Sequence, residues 1–116
     1  MALWVTFPAA GLGEPEAGAP SPGRLEGGSP VFRTWNSYES ADGRMFAGIW
    51  EATPGRWRVV YEEWESCTLL EGRSVVTPDG GPPVTLGPGD TMILEPGFEG
   101  TWEVVETTRK SYVVRL

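Results

Sequence analysis

The sequence predicts an all-β fold, a barrel or a sandwich, and three observations carry the prediction. From Val31 onward the chain falls into eight or nine segments of four to nine residues, rich in β-branched and aromatic side chains. Turn signals separate them, in keeping with 16 Gly and 11 Pro in 116 residues. No window sustains the apolar period of a helix for three turns.

The elements follow in order. Residues 1–30 form an N-terminal arm that reads as largely irregular. Its stretch PAAGLGEPEAGAPSPGRLEGGSP (8–30) is too rich in Pro, Gly and Ala to bury a core. Within the arm, LWVTF (3–7) is apolar enough to pair as an edge strand or to dock on a partner. The compact domain then spans 31–116. VFRTW (31–35) leads through NSYES to the turn ADG, and RMFAGIWEA (44–52) ends at TPG. RWRVVYEEW (56–64) passes through a kink into ESCTLLEGR (65–73), and SVVT (74–77) stops at PDGG. PPVTL (82–86) stops at GPGD, and TMILE (91–95) stops at PGFEG. TWEVVETT (101–108) and SYVVRL (111–116) complete the set as two separate strands. The chain contains no internal repeat.

Composition excludes several classes of function. Nine Lys and Arg against sixteen Asp and Glu give a net charge of −7, without the basic footprint a nucleic-acid partner needs. No apolar run reaches the roughly 20 residues of a membrane span. The apolar start MALWVTFPAAGLG lacks a basic leader and is interrupted by Pro8, so it does not read as a signal peptide, and the expected compartment is the cytoplasm. One cysteine excludes an internal disulfide framework. Histidine is absent altogether, which removes the commonest metal ligand and the commonest general base. GPGD and PDGG lack the context of a phosphate loop and are read as turns.

The most informative run is EEWESCTLLEGR (62–73). Residues two apart on a strand share a face. Positions 57, 59, 61, 65, 67 and 69 are Trp, Val, Tyr, Glu, Cys and Leu, the more apolar set, and are expected to face inward. Glu63 spoils the alternation, so a turn or bulge is expected at 62–64. Glu65 and Cys67 then both enter the interior, where a carboxylate is costly unless it is paired or hydrated.

These residues carry a resemblance. The signatures RTW (33–35), FAGIWE (46–51), PGRWRV (54–59), EWESCTLLEGR (63–73), GPGD (87–90) and PGFEGTWE (96–103) resemble a small single-domain cupin. More narrowly, they are similar to the cupins grouped with the cupin domain of (S)-ureidoglycine aminohydrolase. The resemblance covers about residues 30–116 and implies an RmlC-like jelly-roll β-barrel, commonly a homodimer. In the first cupin motif, Glu65 followed by Gly72 matches the E-x6-G end. Val59 and Tyr61, or Arg58 and Val60 with the longer gap, stand where its two histidines belong. In the second motif Gly89 and Gly97 match, Glu95 stands at the proline place, Gly100 at the histidine place and Val104 at the asparagine place. The resemblance therefore implies a three-histidine, one-glutamate metal site of which only the carboxylate is present. One carboxylate and one thiol do not satisfy a transition metal. No metal and no cofactor are expected, and a metal-dependent reaction is not carried over.

Glu65 reads either as a buried carboxylate paired with an arginine or a tyrosine hydroxyl, or as a ligand-orienting acceptor or general acid–base. Cys67 reads as a small core residue, or as a nucleophile that lacks a histidine to activate it. Tyr61 and Tyr112 either donate to a ligand or finish the core. The tryptophans, Trp57 and Trp102 among them, pack in core and interface or stack on a flat ligand. The pocket candidates are thus Glu65, Cys67, Tyr61, Val59, Trp57, Trp102 and Tyr112, with no residue assigned as catalytic. Two functions remain open: a barrel that binds a small molecule, enzymatic or not, without a metal, and a non-catalytic homodimeric scaffold whose pocket has decayed into core; an aminohydrolase-like enzyme related to ureidoglycine aminohydrolase is a further alternative that the resemblance implies. A homodimer is expected, with 3–7 or the strand at 31–35 at or near the interface.

Overall fold

The computed structural model describes residues 3–116. Nine strands follow in chain order: β1 (Glu16–Gly18), β2 (Leu25–Gly28), β3 (Phe32–Glu39), β4 (Met45–Ala52), β5 (Gly55–Val60), β6 (Trp64–Pro78), β7 (Val84–Leu86), β8 (Thr91–Leu94) and β9 (Glu99–Arg115). All pairings are antiparallel, and no helix occurs among the described residues. The fold is an all-β jelly roll in a single domain.

Two long strands organise it. The C-terminal half of β9 pairs with β4 on one side and with the first half of β6 on the other. Its N-terminal half pairs with β5 and with the second half of β6. Both strands bend where their register shifts, between Leu69 and Ser74 of β6. Gly72 permits the bend: its φ is +87°, and a Cβ there would overlap the Thr107 carbonyl oxygen. The inward set of β6 changes parity across the bend, from Glu65, Cys67 and Leu69 to Ser74 and Val76. One continuous sheet is thereby folded into two facing halves. The first runs β1-β3-β4-β9-β6-β8 and the second β2-β5-β9-β6-β7. Between them lies a core of Trp57, Cys67, Leu69, Val76, Leu94, Trp102 and Val104.

Three expectations are refined. The segments 65–73 and 74–77 are one strand, and 101–108 and 111–116 are one strand, because bulges carry the pairing through the polar residues between them. The kink expected at 62–64 is a turn over residues 61–63 between β5 and β6.

The arm is the third. Residues 1–30, read as largely irregular, hold β1 and β2, which pair with the edges offered by β3 and β5. EAG and LEGG have little β propensity, and tertiary pairing decides their conformation. The six residues 19–24 run as a strap from the edge of one sheet half to the edge of the other.

LWVTF (3–7) is not a strand. Its Leu3, Trp4 and Val5 are exposed and, with Phe7, border a surface cavity shared with Tyr38, Ala47 and Val113 on the outer face of the first sheet half. Farther along, the Ala9 carbonyl accepts from Arg109 and the Gly13 carbonyl from the Trp35 indole, so the chain stays on that face. Ile49, the cross-strand partner of Trp35, is buried yet outside the central core.

Candidate functional site

The site is built where the two sheet halves approach at the strapped end. Strand β6 brings in Glu65 and Cys67, both buried and on one face as their spacing requires. Strand β5 brings Trp57 and Val59, with Tyr61 just beyond its end. Strand β9 brings Trp102, Lys110 and Tyr112, and β4 brings Trp50.

Lys110 is the residue that sequence reasoning missed. Its ammonium is 2.6 Å from Glu65 Oε2, and both side chains are almost wholly buried. The same nitrogen sits 4.6 Å from the ring centroids of both Trp50 and Trp102. Tyr61 donates its hydroxyl to the other Glu65 oxygen at 3.1 Å. Burial alone would lower the Lys110 pKa, but the Glu65 carboxylate outweighs it and holds the ammonium above the ordinary lysine value. As an ion pair at 2.6 Å the two groups carry no net charge between them.

The neighbouring acids are silent at neutral pH. Burial pushes the Cys67 thiol up to about 11, with the Glu65 charge adding and Lys110 opposing. Burial likewise raises Tyr61 and Tyr112 above the usual phenol value. A thiol so held is not a thiolate nucleophile. Cys67 belongs to the packed core, and Tyr61 serves as the donor that orients Glu65.

A cavity of about 520 Å³ opens in front of this pair. Of the residues expected to line a pocket, Glu65, Tyr61, Val59, Trp57, Trp102 and Tyr112 border it and Cys67 does not. Its wall is strongly aromatic: Phe32 packs edge-on against Trp57 at 4.9 Å, and Trp50 against Trp102 at 5.8 Å. Polar groups stand at one side, where the Tyr112 hydroxyl donates to Asn36 Oδ1 at 2.7 Å and Glu16 of β1 forms the rim. A second hollow of about 360 Å³ lies under the strap, bounded by Ala19, Ser21 and Arg24, and shares Phe32, Trp57, Tyr61 and Glu65 with the first. The two form one cleft, with Glu65 at their junction.

The geometry also tests the metal site that the resemblance implies. Val59 and Gly100 are cross-strand partners, and Val59 and Tyr61 line the cavity with Glu65, so the motif positions do converge. They converge without donors: an isopropyl group, a phenol and a hydrogen stand where imidazoles would. Among the described residues no group of three His, Cys, Asp or Glu is placed to hold a metal ion. The one carboxylate already carries a cation, the Lys110 ammonium. The donor set does not fit a transition metal.

A family model described as "EutQ-like cupin domain" matches residues 39–112. Among solved structures, a protein of unknown function of the DUF861 family from Pseudomonas syringae pv. tomato str. DC3000 is 28% identical with a TM-score of 0.79. That likeness covers 86% of this chain and 43% of the Pseudomonas chain, so this protein spans less than half of that one's length. The EutQ protein of Clostridium difficile aligns at 19% identity and a TM-score of 0.65, over 75% of this chain and 64% of its own. Ectoine synthase from P. lautus aligns at 16% identity and a TM-score of 0.66, over 72% of this chain and 63% of its own. The last two show the fold. No curated protein matches the chain.

Proposed function

Because the chain belongs to the EutQ-like cupin domain family, we propose that its barrel binds a small polar metabolite and does so without a transition metal. The observation that carries the proposal is the Glu65–Lys110 pair at the wall of an aromatic cavity of about 520 Å³. Such a volume lies within the ordinary range of ligand pockets, roughly 300–1,000 Å³. A fixed ion pair at its wall supplies polar anchoring that a sealed core would have no use for. A scaffold with a decayed pocket calls instead for interior packing density at this place, and the open cleft favours the binding reading. The aminohydrolase reaction that the resemblance ties to a metal ion stays outside the proposal, since the donor set does not fit one.

The test is a thermal-shift screen of metals and small metabolites on the full chain, because a ligand selective for the folded state raises the apparent stability. Polar metabolites are expected to raise the melting temperature, and a chelator to leave it unchanged. Near-unit occupancy of zinc, manganese, nickel or iron at Glu65 would overturn the metal-free reading.

A further inference from the structure

The chemistry of the cavity wall narrows the ligand class, an inference that rests on the barrel being a binding site. Polar hydrogens outnumber the acceptors that meet them. Lys110 makes one conventional hydrogen bond, to Glu65, and has only indole faces for its other two N–H groups. The indole N–H of Trp102 is the one buried side-chain polar atom without a hydrogen-bond partner among the described residues. Asn36 spends its carbonyl oxygen on Tyr112, and its exposed amide meets solvent. Both Glu65 oxygens already hold a donor. An unmade hydrogen bond at a buried group costs on the order of 1–3 kcal/mol, so a ligand that brings an acceptor oxygen gains most.

Charge selects further. The Glu65–Lys110 pair cancels, and the remaining formal charge on the wall of the larger cavity is the Glu16 carboxylate at the rim, on a chain of net charge −7; Arg24 and Arg58 border only the hollow under the strap. An anion is disfavoured there. An organic cation is opposed by the Lys110 ammonium, which already sits 4.6 Å from the ring centroids of Trp50 and Trp102. The apolar remainder of the wall is set by Phe32, Trp50 and Trp57. We propose that the cavity takes a flat, neutral, carbonyl-bearing molecule of the aromatic or cyclic amide type. Its oxygen accepts from Lys110, and its ring lies along the Phe32–Trp50–Trp57 wall.

Three matched probes test this on the full chain: benzamide, benzoate and benzylammonium, followed by tryptophan fluorescence and by the indole N–H resonances. Benzamide is expected to bind about tenfold or more tighter than either charged probe, because the Glu16 carboxylate opposes benzoate and the Lys110 ammonium opposes benzylammonium. It is also expected to shift the Trp102 indole resonance, and Lys110→Met to weaken its binding by a similar factor. The indole shift in the unaltered protein decides the matter if Lys110→Met does not fold. Equal or tighter binding of benzoate or benzylammonium in the same cavity overturns the neutral-carbonyl class and leaves the barrel as a binding site. Shifts confined to tryptophans away from the cavity, or none with any probe, overturn the barrel reading itself.

Discussion

Lys110 holds a positive charge at a position 5% exposed, where only one carboxylate and two indole faces meet it. Neutralising one member of such a pair leaves the other charged and desolvated. Glu65→Gln is therefore expected to lower stability by roughly 3–5 kcal/mol, read by chemical denaturation. The double variant Glu65→Leu, Lys110→Met is expected to lose less than either single change, because no buried charge is left behind. The same cluster sets the response to alkali. Cys67, Tyr61 and Lys110 all keep their protons to higher pH folded than unfolded. The unfolded chain then releases protons first, so stability is fully present below about pH 9, the ordinary thiol value, and falls as pH rises beyond it. Melting temperatures between pH 7 and 11 check that slope. Glu65 was legible in the sequence because alternation and the E-x6-G spacing agree on its direction. Lys110 shares parity with Trp102, Thr108 and Tyr112, which is the signal that could have found it. It was hidden because Arg109–Lys110 reads as a polar break between two strands.

That break is a property of the element, and β6 and β9 explain it. Each strand serves both sheet halves, so each must bend, and the bends draw in polar residues such as Glu71, Arg73 and Glu106 that imitate a turn. Periodicity within a short window does not distinguish a bulged strand from two strands. At the bend the hydroxyls of Ser74 and Thr108, both fully buried, hydrogen-bond at 2.7 Å, and Thr108 donates onward to the Glu106 carbonyl at 2.9 Å. Gly72 supplies the conformation. Gly72→Ala adds left-handed strain to a collision with the Thr107 carbonyl, and a loss of more than about 2 kcal/mol is expected by thermal denaturation. The short strands β1 and β2 were illegible for the opposite reason: nothing in EAG or LEGG favours extension until a sheet edge lies beside them.

At the scale of the whole molecule, an all-β barrel or sandwich was readable from strand count and turn spacing and the jelly roll from the resemblance to cupins, while the surface was less so. No helix among the described residues is long and apolar enough to cross a membrane. Leu3 and Trp4 are 89% and 75% exposed, next to Val113 on the outer sheet face, and Ile93 of β8 stands 59% exposed on the same sheet half. Apolar side chains gathered this way mark an interaction surface. We propose a homodimer that covers them, and light scattering at micromolar concentration is expected to give twice the chain mass. Deleting residues 1–13 is expected to weaken the dimer and to expose Ile49 and Trp35. A dimer unchanged by the deletion would move the interface to the strand at 32–39.

The strap over the cleft has a consequence for proteolysis. Arg24 is exposed at its end, and its carbonyl is held by the Arg58 amide at 2.8 Å. The backbone there is presented to solvent but not free to enter a protease, which needs an extended, unpaired segment. Trypsin can cut after Arg24 only when the hold of β2 on β5 slips, and that slip is also what uncovers the hollow beneath. Cleavage at this single bond becomes a clock for the opening of the cleft, readable by mass without any knowledge of what the cleft contains.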